Sequence, residues 1–154
     1  MDYLTIKWLH ILSSTLVFGT GLGIAFFCWI AHRGGDVRVI AATARTVVIA
    51  DACFTAPAVI TQFATGLWLV HTLGVPWAQR WIAGALALFV LTGLCWLPVL
   101  RLQWRAARLA ADALASGSAL PDEYHRVMRW WFWLGWPAFL SVVAIFWLMV
   151  MKPV

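Results

Sequence analysis

His10 and Asp51 are ionisable side chains set inside long apolar runs, where such groups are costly and mark functional positions by default. At helical spacing His10 shares a face with Lys7, Ser13, Ser14, Val17 and Gly21. An imidazole bordered by small residues leaves space for a flat ring such as haem, whose iron takes an axial histidine nitrogen. The competing reading is a histidine hydrogen-bonded between helices. His71 closes the second apolar run and comes out on the same side as His10, either as a second axial ligand or as a headgroup residue. His32 and His125 belong to the opposite side and cannot reach His10.

Asp51 opens a stripe with Thr55, Ala58, Gln62 and Thr65, at i, i+4, i+7, i+11 and i+14. One face of a helix is thereby polar or small across much of a bilayer. That pattern suits a proton or substrate path in which Asp51 and Gln62 carry the chemistry. It suits equally a structural clasp in which Asp51 pairs with Arg101 or His32. Cys28, Cys53 and Cys95 could hold a soft ion such as Cu(I), but they lack close spacing and read more simply as packed thiols. No nucleophile triad, phosphate loop or HExxH zinc helix occurs in the sequence.

The elements that position these groups are four apolar stretches, roughly residues 4–31, 46–70, 81–100 and 130–151. Each meets the requirement of about 20 residues for a helix crossing the hydrocarbon layer. With 64% hydrophobic and 11% charged residues, an ordinary water-soluble domain is excluded. The expected fold is all-α: one integral membrane domain over residues 1–154, an up-down-up-down four-helix bundle. The front of the chain does not read as a removable signal, so the first helix is expected to stay.

Charge gives the bundle a direction. Arg33, Arg38, Arg45, Arg101, Arg105, Arg108, Arg126 and Arg129 fall on one side, against Lys7, Arg80 and Lys152 on the other. The positive-inside rule predicts both termini outside (N-out/C-out), in the inner membrane if the host is a bacterium. Attraction to anionic lipid accounts for this basic side; a nucleic-acid partner does not. Trp8, Trp68, Trp77 and Trp81 are expected at the outer interface, and Trp29, Trp104, Trp130 and Trp131 at the inner one.

Asp36 is a suitable N-cap for the second helix, and Pro57 is expected to kink it. The third helix is predicted to run past the membrane through 102–114, ending at Ser116-Gly117-Ser118. Pro121-Asp122-Glu123 then starts the fourth with acids at its positive end. Gly19 and Gly23 form a GxxxG pair, which predicts close packing within the chain or across a homodimer.

Three blocks resemble a bacterial family of integral membrane proteins without an assigned function. They are RTVVIADACFTAPAVITQFATGLWL from Arg45, CWLPVLRLQWR from Cys95 and WFWLGWPAFLSVVAIFWLMVMKP ending at Pro153. A more distant likeness is to HemJ-type protoporphyrinogen oxidases and CopD-like membrane proteins. It rests on Lys7–His10 (KWLH), on Pro57-Ala58 followed by Gly66-Leu67-Trp68-Leu69, and on Lys152-Pro153. The likeness implies a haem b role for His10. It departs from the HemJ pattern at Gly93-Leu94-Cys95-Trp96, where a further histidine is usual, and at Leu134-Gly135-Trp136-Pro137, which replaces Asn-Glu-Pro.

Two functions follow as expectations. The first is a haem b-binding redox protein, with His10 and His71 as iron ligands, Lys7 and Ser14 beside the cofactor, Asp51 and Gln62 handling protons, and a redox partner. The second is a non-enzymatic membrane accessory or transport subunit, serving ion or copper passage or partner docking.

Overall fold

The computed structural model describes residues 2–153, and all their regular secondary structure is helical. Helix α1 spans Tyr3–Gly34, α2 Val37–Ala50, α3 Ala56–Leu73, α4 Arg80–Ser116 and α5 Asp122–Met151. A π-helical turn over Asp51–Thr55 joins α2 to α3, so Val37–Leu73 is one continuous rod and the second of four spans. The chain is thus a polytopic α-helical membrane bundle. The start of α1 and the end of α5 lie at one end, opposite the two arginine-rich connections.

Local sequence explains the boundaries. Asp36 caps α2 by accepting the Arg38 backbone N–H at 2.8 Å, which satisfies one of the donors a helix start leaves free. Gly35 and Gly117 close α1 and α4 at φ values of 71° and 65°, a left-handed geometry that costs glycine nothing. The π turn precedes Pro57, which lacks the N–H that an α-helix needs there. The Ala56 N–H reaches back to the Asp51 carbonyl instead, and inserted turns of this kind cluster at functional positions.

The packing is uneven along the membrane normal. At the arginine-rich end α2 lies against both α1 and α4, and α4 pairs with α5. Ile40, Val47, Ala106, Ala110, Tyr124, Met128 and Trp131 form the tightest core there. Toward the terminal end α3 stays with α1, and no Cα of α3 comes within 8 Å of α4 or α5 among the described residues. Aromatic side chains bridge this separation. Phe63 of α3 stacks on Phe89 of α4 at 5.7 Å, and between α1 and α5 Phe18 meets Phe139 at 5.5 Å and Phe146 at 5.6 Å. Large rings fill space where backbones diverge.

Two expectations are narrowed by the packing within the chain. A Cβ added at Gly19 or Gly23 meets nothing within 4 Å, so the pair does not pack against another helix of this chain. Both lie roughly 80–140° round α1 from the inward face of Ile6, Ser13 and Ile24. Close approaches fall instead at Gly66, where an added Cβ would sit 3.2 Å from His10 Cε1, and at Gly84, where it would sit 3.2 Å from Leu148 Cδ1. Trp81 and Trp131, expected as interface anchors, are buried against neighbouring helices rather than exposed on the bundle surface.

Candidate functional site

Helix α1 brings His10 and Ser13 to one inward face, and α3 brings Gln62 and Thr65 opposite them. Ser13 and Thr65 are buried, and His10 and Gln62 half-buried. The four side chains close a network. His10 Nδ1 lies 2.9 Å from Thr65 Oγ1, and Gln62 Nε2 lies 3.1 Å from His10 Nε2. The Ser13 hydroxyl reaches Gln62 Oε1 at 2.5 Å and the His10 carbonyl at 3.0 Å.

With the Gln62 amide oriented as it stands, one proton assignment satisfies every group. Thr65 donates its hydroxyl to the Thr61 carbonyl at 2.6 Å, so it accepts from His10 Nδ1–H. His10 Nε2 then has a free lone pair for the Gln62 amide N–H, and Gln62 Oε1 accepts from Ser13. The imidazole is neutral and carries its hydrogen on Nδ1, an assignment that follows from the partners each atom has. Glycine at position 66 makes the arrangement fit: the ring edge occupies the space a side chain would need.

Nearer the arginine-rich end, Asp51 and Thr55 are buried on the same face of the second span, with buried Ala58 between them and the clasp. The Asp51 carboxyl sits among the polar side chains of Thr55 and of Gln103 and Trp96 on α4. Asp51 Oδ2, Thr55 Oγ1 and Gln103 Oε1 are buried without a hydrogen-bond partner. Asp51 forms no ion pair among the described residues, and neither Arg101 nor His32 is its partner. Gln103 and Trp96 were not singled out in the sequence. Gln103 had a readable cue, being polar on the inward α4 stripe of Cys95, Val99, Ala106, Ala110 and Ala113.

The remaining candidates are dispersed. His71 is exposed in the last turn of α3, six residues and about 9 Å of helix rise beyond Thr65, so it does not join His10. Lys7 is exposed and holds its Nζ 5.9 Å from the Tyr3 ring centroid. Ser14 turns its hydroxyl back to the Ile11 carbonyl at 2.7 Å. Cys28, Cys53 and Cys95 are free thiols, and among the described residues no three His, Cys, Asp or Glu side chains gather as metal ligands. Both His10 nitrogens are engaged by α3, and the space beside the ring belongs to Gly66.

Four apolar spans carrying two inward polar levels define an integral membrane protein with a built interior site. The family described as predicted integral membrane protein (DUF2269) matches residues 4–153, and the chain belongs to that family. No curated protein and no solved structure matches it. HemJ-type and CopD-like proteins are not among the matches.

Proposed function

We propose that this protein is a small membrane transport or accessory subunit that handles protons through His10 and Asp51 on the inner face of the second span. The observation that carries this reading is the His10–Gln62–Ser13 network, which balances in two protonation states. A proton arriving at His10 Nε2 turns Nε2 from acceptor to donor. The Gln62 amide then rotates by half a turn, so that Oε1 accepts from Nε2–H and the amide nitrogen donates to Ser13 Oγ. The Ser13 hydroxyl hydrogen swings to the His10 carbonyl, 3.0 Å away. No donor or acceptor of the clasp is stranded in either state, which matters where no water compensates a lost bond. Loss of the proton reverses each step.

Asp51 supplies the second level. Its unpartnered Oδ2 takes up a proton as a neutral acid and releases it, with Thr55 and Gln103 beside it. Gln62 and Thr55 are about 10 Å apart along the helix axis, too far for direct proton transfer between the two levels. In this reading the arginine-rich end faces the cytoplasm of a bacterial inner membrane.

Reconstitution of the full chain into vesicles holding a pH-sensitive dye tests the reading. A pH gradient with an imposed potential should drive proton flux above that of empty vesicles. Asp51→Asn and His10→Phe should each abolish it, while circular dichroism and elution volume show a folded protein. Wild-type flux equal to empty vesicles, or flux unaltered in both variants, overturns the proposal.

A further inference from the structure

The arginine-rich end holds a second feature, independent of the proton reading. Helix α4 continues past the membrane, and its outer surface forms an open groove of about 630 Å³ lined by Arg101, Trp104, Arg105 and Arg108, with the carboxylates of Asp112 and of Glu123 on α5 also in the lining. Arg105 is held by Glu123 in an exposed ion pair, so its charge is already partnered. Arg101 and Arg108 form no ion pair among the described residues. They stand seven residues apart on one face of α4, about 10 Å along its axis.

The depth of the groove points to its occupant. The stretch 81–100 rises about 30 Å, the thickness of the hydrocarbon layer, so Arg101 is the first charged position beyond it. Trp104, one turn on, is 64% exposed, with an indole suited to the headgroup layer. A guanidinium fork at that level meets lipid phosphates before any soluble anion.

We infer that Arg101 and Arg108, with Trp104 between them, form a binding site for the headgroup of an anionic phospholipid in the leaflet at the arginine-rich end. Arg101 contacts the phosphate, and the positive charge of Arg108 further out disfavours a headgroup that carries its own cation, such as choline. The Glu123-bound Arg105 stiffens the wall without competing for the lipid.

Native mass spectrometry of the full chain in detergent, titrated with phosphatidylglycerol or phosphatidylcholine, tests the site. The wild type should retain phosphatidylglycerol preferentially. Arg101→Gln/Arg108→Gln should weaken that retention roughly 30-fold, from about fivefold per arginine near a membrane surface. Arg33→Gln/Arg38→Gln removes the same charge elsewhere on this end and should leave retention unchanged. Equal loss in the two double variants would reduce the effect to diffuse attraction and overturn the site. So would equal retention of both lipids, or displacement of the lipid by millimolar inorganic phosphate. Circular dichroism of each variant confirms that the comparison is between folded proteins.

Discussion

Gln62 donates its amide to His10 Nε2 at 3.1 Å, joining two helices through residues 52 positions apart in the chain. The bond ties α1 to α3, where no Cα of α4 or α5 comes within 8 Å of α3 among the described residues. Gln62→Leu should therefore cost about 1–2 kcal/mol, because it strands His10 Nε2 and the Ser13 hydroxyl. Unfolding free energy in bicelles measures this. His10→Leu/Gln62→Leu together should cost clearly less than the sum of the single changes; strict additivity would mean the pair is not coupled.

Gly66 is the position where α3 admits the His10 ring. An alanine Cβ would sit 3.2 Å from Cε1, and the ring has little freedom because both nitrogens are held. Gly66→Ala should destabilise the fold by about 1–3 kcal/mol through overpacking. At Gly93 an added Cβ meets nothing within 4 Å, so Gly93→Ala should be neutral or mildly stabilising. Combining Gly66→Ala with His10→Ala removes the clash, and the double variant should recover part of the loss. The same unfolding assay decides, and equal effects at 66 and 93 would refute the close approach.

The core at the arginine-rich end should dominate stability. Ile40 is 2% exposed and Ala110 is fully buried, one on α2 and the other on α4. Ile40→Ala should cost about 2–5 kcal/mol through the cavity it leaves, and Ala110→Leu about 1–3 kcal/mol through steric strain. Leu94 is 64% exposed in the membrane-spanning part of α4, and Leu94→Ala should change little. Thermal melts in detergent rank the three. If Leu94→Ala matched Ile40→Ala, the location of the core would be wrong.

Haem and proton handling make opposite demands on one atom, His10 Nε2. Protein purified from haem-replete cells should show no Soret band, because Gln62 holds that nitrogen. A Soret band in the wild type that His10→Ala abolishes would show that the clasp opens to iron, and would favour the redox expectation over the transport one.

Much of the architecture was legible locally. The four spans, the Asp36 cap, the extension of α4 and the turn at Gly117 each depend on a few neighbouring residues, and each stands where expected. The stripe from Asp51 to Thr65 faces inward as its spacing implied, since helical periodicity is a property of one chain segment. Partner choice was less legible. GxxxG at Gly19 and Gly23 names a surface suited to close packing, yet nothing in α1 alone says which surface its neighbours will use. Trp81 and Trp131 likewise have the type and depth of interface anchors, while burial depends on helices distant in sequence.

What the sequence by itself determined is the set of spans and the inward register of the second one, because apolar length and 3.6-residue periodicity act within a single helix. Only the tertiary structure decided that His10 is claimed at both nitrogens by α3, that Gly66 rather than Gly19 makes room, and that Gln103 of α4 stands beside Asp51. Those outcomes depend on how helices far apart in the chain sit side by side. That arrangement follows from side-chain shape summed over the whole bundle.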